Sequence, residues 1–290
     1  MLKQRLVGVV LVKDGVCVQS IGFCRFLPVG SPAIAVEYLN RWSIDEIVML
    51  DISAPRSRTT ISERLIAAVA ARGLVPLSVG GGLKTIEAVR EVVKSGADRV
   101  VLTTAAVQNP ELITQVADRF GSQCVIVGID ACRNDDGSYS TYISGGQQSV
   151  GLSPVALAQM AEARGAGEIL IQAIHRDGSK QGYDLVLIEQ VAAAVNIPII
   201  ALGGVGSPVH FLEAAGIPGV SGLAAGNYYH FTEHTALVAK AFLVNHAVSM
   251  RHDSYADYRD FGFLPDGRLA KKSDAELEEL FFVHYTDEVI

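Results

Sequence analysis

The chain has 290 residues, 49% of them hydrophobic and 19% charged, with a formal net charge of −7. That is ample apolar material for one large core or two ordinary domains. An acidic balance with no Lys/Arg cluster argues against nucleic acid as a partner, and no run of 18 apolar residues predicts a membrane span.

In chain order, short β-branched runs alternate with stretches of helical period. Strands are expected at Leu6–Leu11, Glu46–Asp51, Leu77–Val79, Arg99–Leu102, Val125–Ile129, Ile169–Ala173, Ile199–Ala201 and Gly219–Leu223. Helices are expected at Ser62–Arg72, Thr85–Ser95, Pro110–Phe120, Pro154–Arg164 and Asp184–Val195. Near-continuous apolar strands separated by single helices read as parallel strands buried on both faces. Eight such units over about 245 residues predict an α/β fold, a single (β/α)8 barrel over residues 1–246. Residues 247–290 turn polar and aromatic and read as an appended arm, for a partner or as a strap on the barrel's own flank. In it, Pro265-Asp266-Gly267 predicts a turn, and Ser273 with Glu276 a capping box opening a short helix through Leu280.

The chain also repeats itself about 120 residues further on. Leu77-Ser78-Val79-Gly80-Gly81-Gly82 leads to Val101-Leu102-Thr103-Thr104-Ala105-Ala106. Ile200-Ala201-Leu202-Gly203-Gly204-Val205 leads to Ser221-Gly222-Leu223-Ala224-Ala225-Gly226. Each pair is a strand ending in glycines followed by a strand ending in small residues. A glycine lets backbone N–H groups approach an anion closely. Two matched half-sites at the C-terminal strand ends predict a duplicated barrel gripping a phosphorylated small molecule at both ends.

The four cysteines, Cys17, Cys24, Cys124 and Cys132, lack metal-like spacing. They fit a reducing cytoplasm, and neither a metal nor a cofactor is called for. The N-terminus lacks the pattern of a signal peptide. Among polar residues at strand ends, Asp51, Asp130 and Asp177 stand out, with Thr104 and Ser144 nearby. Asp130 closes an apolar run and is the best candidate for a general base at the barrel mouth. Its counterpart in the first half is Leu11, so a two-carboxylate machine is half missing.

Several longer stretches carry a resemblance. They include Val12-Lys13-Asp14-Gly15, Ile44-Asp45-Glu46-Ile47-Val48, Thr104-Ala105-Ala106-Val107-Gln108-Asn109-Pro110 and Arg176-Asp177-Gly178-Ser179-Lys180-Gln181-Gly182-Tyr183-Asp184. Through about His246 the chain resembles the cyclase subunit of imidazole glycerol phosphate synthase. The resemblance implies a twofold-symmetric barrel with a partner glutaminase docked on its N-terminal face. Ammonia then crosses the interior and attacks a bisphosphorylated ribulosyl intermediate at the opposite mouth. It implies phosphate and substrate contacts at Asp51, Gly81, Gly82 and Thr104 on one side, and at Asp177, Gly178, Gly203, Gly204, Ala225 and Gly226 on the other.

The departures fall on that mouth. The family's general acid, an Asp, is replaced by Leu11, and loss of a positioned acid costs roughly 10²–10⁴ in rate. Gln19 replaces a loop Lys, Leu202 replaces a hydroxyl residue, Thr103 an Asn, and His175 an Asp. Gln19 or His175 could take over part of the acid's work. At the opposite end the family's ammonia gate, two basic and two acidic residues, is matched by Arg5, Glu46, Arg99 and Glu168, and its glutaminase contact by Asp98. A gate retained while the acid is lost resembles one branch of this family. There the barrel and a glutaminase supply an ATP-dependent sugar amidotransferase that builds acetamidino groups on bacterial surface polysaccharide. Gly222–His234, Asp253–Tyr258 and Asp287–Ile290 carry the branch resemblance. The alternatives are a working cyclase of histidine biosynthesis and a non-catalytic scaffold that activates its glutaminase.

Overall fold

The computed structural model describes residues 3–53, 61–232, 234–251, 254 and 256–278. Eight parallel strands form a closed barrel: β1 (Arg5–Lys13), β4 (Glu46–Asp51), β5 (Leu77–Gly80), β6 (Arg99–Leu102), β7 (Val125–Arg133), β10 (Glu168–Ala173), β11 (Ile199–Leu202) and β12 (Val220–Ala225). They neighbour one another in chain order from β1 through β12, and the β12–β1 pairing completes the ring. Closure leaves no edge in the ring, and each strand is sandwiched between the barrel interior and the outer helices. The single (β/α)8 barrel expected from the sequence is therefore present.

Two antiparallel extensions break the simple pattern. β2 (Val16–Ile21) folds back on β1 and pairs with β3 (Arg25–Gly30), while β8 (Tyr139–Ile143) folds back on β7 and pairs with β9 (Gln148–Ser149). They occupy matching places in the two halves, in segments where the sequence predicts neither strand nor helix. Asp14 and Gly15 make the first turn with φ of 50° and 80°, the left-handed pair that a tight hairpin requires.

The pleat sends alternate strand residues inward. An apolar interior cluster of Val7, Val9, Val48, Val101, Ile126, Leu170, Ile200, Leu202 and Ala224 results, with Leu11 and Leu50 packed against its mouth side. The opposite strand faces join the helices in a larger core. Expected and observed helices agree closely. Ser62–Arg72 is found as Glu63–Ala70, Thr85–Ser95 as Ile86–Lys94 with Thr85 as its cap, and Asp184–Val195 as Leu185–Ala192 capped by Asp184.

One buried ion pair ties the last long helix, Thr235–Asn245, to the barrel. Lys240 Nζ donates to Asp45 Oδ1 at 2.6 Å, and the amide of Leu6 donates to Asp45 Oδ2 at 2.8 Å. Burial pushes the Asp45 carboxyl upward while the Lys240 charge opposes that shift. Beyond this helix the described part of the arm lies against the barrel flank. Gly267 sits close to Pro208 and Phe242, the Phe242 and Phe263 rings are 5.5 Å apart, and a bridge between Phe263 and Leu269 closes the expected turn. Ser273 caps as expected, accepting from the amide of Glu276 at 3.2 Å, and the helix is described over Asp274–Glu278. Its expected end at Leu280 lies outside the described residues.

Lys240→Met would strand a buried carboxylate and should lower the unfolding free energy by about 3–5 kcal/mol. Urea denaturation checks this, and Asp45→Asn combined with Lys240→Met should recover most of the loss.

Candidate functional site

The sequence-predicted residues gather at both ends of the barrel. At the base, Arg5, Glu46, Arg99 and Glu168 come from β1, β4, β6 and β10. Arg5 Nη1 bonds Glu46 Oε2 at 2.6 Å, Arg99 Nη1 bonds Glu46 Oε1 at 2.9 Å, and the second guanidinium nitrogen of each arginine bonds Glu168. The four charges thus close a ring of alternating sign. Both glutamates are buried, whereas the Arg5 side chain is 30% exposed and that of Arg99 16%. Burial opposes the Arg5 charge, but Glu168 and Glu46 outweigh it and hold the guanidinium above its ordinary value.

Serines complete the ring. Ser78 donates to Glu46 at 3.2 Å, and Ser221 accepts from Arg5 at 2.9 Å and sits 3.2 Å from Glu168. Sequence reasoning did not single these out. The signal was a polar residue at an inward strand position inside an apolar run. Asp98 is exposed nearby, one oxygen accepting from the Leu77 amide at 2.8 Å.

At the mouth, the two half-sites form separate cavities. The first, of about 270 Å³, is lined by Asp51, Gly81, Gly82, Lys84, Thr103 and Thr104, with Ser144 and Gly145 from the β8–β9 turn. The Ser144 amide donates to Thr104 Oγ1 at 3.1 Å. Gly81 is required here: its φ is +119°, and an added Cβ would lie 2.5 Å from the Asp51 carbonyl.

The second cavity brings together Asp177, Gly178, Gly203, Gly204, Ala225 and Gly226, but measures only about 30 Å³. Leu11, Leu202, Asn227 and Tyr228 share its wall. The β2–β3 hairpin is tied across it. Asn227 Nδ2 donates to the Ser20 carbonyl at 2.7 Å, and the Gln19 amide group donates weakly to the Asn227 carbonyl at 3.4 Å.

Asp177 is not free in this arrangement. Its Oδ2 accepts from Ser20 Oγ at 2.6 Å and from the Phe23 amide at 3.1 Å, so the carboxylate anchors the hairpin. Asp130, at the mouth end of β7, accepts no hydrogen bond from the described residues. It keeps some exposed surface, yet loss of hydration, reinforced by the Asp177 charge, pushes its carboxyl up to about 7. His175 is engaged on both ring nitrogens: Nε2 lies 3.0 Å from Asp184 Oδ2, and Nδ1 is 3.4 Å from the Arg133 amide. Tyr139 donates to the same Asp184 carboxylate at 2.8 Å. His175 and Gln19 therefore both have protein partners, and Leu11 faces the interior as a hydrocarbon.

A family model described as histidine biosynthesis protein matches residues 5–235. The chain belongs to this family. It is 40% identical over 253 residues to the imidazole glycerol phosphate synthase subunit HisF of Pyrococcus furiosus, covering 87% of this chain and all of that one. The HisF subunit of Hydrogenobaculum is 38% identical over 251 residues, with the same coverage. A Vibrio vulnificus protein provisionally named imidazole glycerol phosphate synthase subunit hisF2 is 37% identical over 261 residues, covering 90% of this chain and 96% of its own. Family membership thus extends over the barrel that carries both the charge ring and the mouth. Among the described residues no cluster suits a metal ion, and no helix is long and apolar enough to cross a membrane.

The raised Asp130 carboxyl has a stability signature. In the folded chain it holds its proton up to about pH 7, whereas in the unfolded chain it ionises near its ordinary value of about 4. Stability must then fall as pH rises between those values and level off above. Asp130→Asn should accordingly gain in melting temperature over the parent as pH rises from about 4 to 7, with a constant gain beyond. A pH-independent difference in thermal scans would contradict the assignment.

Proposed function

We propose that this barrel conducts ammonia within a glutamine-dependent amidotransferase complex and does not perform the family's cyclisation efficiently. The observation that carries the reading is a contrast between its two ends. The base keeps a complete four-residue charge ring, while the general-acid position at the mouth holds Leu11, aimed into the interior. A leucine cannot give a proton, and Asp177, His175 and Gln19 are occupied in protein contacts.

In this reading a partner glutaminase docks at the base, beside Asp98, and releases ammonia there. The ring of Arg5, Glu46, Arg99 and Glu168 is the gate, and passage requires one of its ion pairs to part. Beyond it, valine, isoleucine and leucine side chains favour neutral ammonia over ammonium, whose charge would lose its hydration. Asp130 and the cups of Asp51, Gly81, Gly82 and Thr104, and of Asp177, Gly178, Gly203, Gly204, Ala225 and Gly226, form the ligand end. The acceptor we favour is a sugar in surface-glycan synthesis, amidinated by a separate ATP-dependent amidotransferase. The working site is cytoplasmic.

The names of the relatives and the half-ionised Asp130 favour the second reading, a true cyclase of histidine biosynthesis with Asp130 as base. A cyclase would form imidazole glycerol phosphate from its bisphosphate precursor and ammonium salt, and would rescue a histidine auxotroph. The conduit should do neither, and Leu11→Asp should then raise cyclisation by roughly 10²-fold or more if the acid alone is missing.

Arg5→Ala should let glutamine hydrolysis run without amidation. Val48→Phe, which fills the interior, should cut glutamine-driven amidation while added ammonium salt restores it. Unchanged amidation in Val48→Phe would leave only a scaffold role.

A further inference from the structure

The two cups at the mouth are equivalent in sequence position but not in space or charge. The Gly81–Gly82 cup is open, at about 270 Å³, and Lys84 stands at its wall beside Thr103, Thr104 and Gln108. The Gly203–Gly204 cup is about 30 Å³, room for about two water molecules. Hydrocarbon fills much of the remainder: Leu202 is 5% exposed, Leu11 packs beside it, and the half-buried Tyr228 ring lies 5.2 Å from those of Phe211 and Tyr229.

Electrostatics separate the cups further. No Lys or Arg lines the second cavity, while Asp177 does, and Asp130 is close enough to feel its charge. Arg176 stands beside Gly204, but its guanidinium donates to the Gln181 carbonyl at 3.4 Å. The hairpin backbone also leans on this cup. An added Cβ at Gly178 would lie 2.7 Å from the Ser20 carbonyl, and the Asp177 and Asn227 side chains hold Ser20 in place. A phosphate placed here would displace a leucine wall and lose its hydration facing a carboxylate, with glycine amides but no lining Lys or Arg to offset those costs.

We propose that the mouth takes a ligand bearing a single phosphate, seated in the cup of Gly81, Gly82, Lys84 and Thr104, and that the second cup excludes phosphate. Leu11, Leu202 and Tyr228 are then specificity-determining residues that separate this barrel from one built for a bisphosphate. The inference rests on the mouth being the ligand end, as in the function proposed above, but not on ammonia transport. Transport is tested independently by the ammonium rescue of Val48→Phe.

The test uses the full chain and two probes of one scaffold, hexaethylene glycol monophosphate and its terminal bisphosphate, joined by a long flexible linker. In calorimetric titrations the two should bind within about threefold of each other, and Lys84→Ala should weaken both at least tenfold. In amide NMR spectra, Gly81, Gly82, Lys84 and Thr104 should shift, and Gly178, Gly204, Ala225 and Gly226 should not. Leu202→Ser should open a bisphosphate preference. A bisphosphate bound ten times more tightly by the parent chain overturns the proposal. So does a monophosphate that shifts the second cup, or the absence of binding by either probe.

Discussion

Closure of the parallel sheet, combined with the two-residue period of a strand, decides where every functional group in this molecule lies. On β1 the inward positions run Arg5, Val7, Val9, Leu11, so one strand contributes a charge to the base, two valines to the interior and a leucine to the mouth. β4 repeats the logic with Glu46, Val48 and Leu50, and β10 with Glu168, Leu170 and Gln172. Because the ring is complete, these rows become layers. The ends of the barrel are thereby chemically independent, one polar and ion-paired, the other a mouth of loops on a hydrocarbon floor.

That independence lets Leu11 stand at the mouth while the base carries its full charge ring. The hairpins add a second consequence of the twofold plan. The β8–β9 turn from the second half lines the first-half cup through Ser144, and the β2–β3 hairpin from the first half bonds Asp177 and Asn227 in the wall of the second-half cup through Ser20. Each half therefore finishes the other's cup. A bond set that ties Asp177 and Asn227 to one hairpin has no matching set at the other cup among the described residues, so sequence symmetry does not oblige functional symmetry.

The barrel and its strand order were legible because apolar runs of four to nine residues, each followed by a helix, leave few other arrangements. The hairpins were missed although Asp14-Gly15 between two β-branched runs is a hairpin signal. A barrel strand normally runs on into a helix, and here an antiparallel pair intervenes before Pro32–Arg41. The cup residues were found because glycine at a strand end has a backbone reason to be there. Asp177 as a hairpin anchor was not legible, since its partner Ser20 is 157 residues away and no local pattern encodes that contact. The charge ring came from resemblance alone. Four isolated charged residues at strand starts become a ring only once the barrel closes.

The ring itself is poorly explained as a stabilising device. Removing two carboxylates from water costs several kcal/mol each, and replacing buried ion-pair groups by packed hydrocarbon is often neutral or favourable by about 1–4 kcal/mol. This barrel demonstrably accepts such hydrocarbon at inward strand positions, since Leu11, Leu50 and Leu202 fill the corresponding places at the mouth. If stability were the only demand, leucines at the base would serve as well. A ring of alternating charges does one thing that leucines cannot: its pairs can part and re-form around a small polar molecule, each charge regaining a hydrogen bond as it does so. The partial exposure of Arg5, beside two fully enclosed glutamates, makes it the member best placed to swing outward. Within the function proposed above, Arg5 is therefore the residue on which we would hinge the gate.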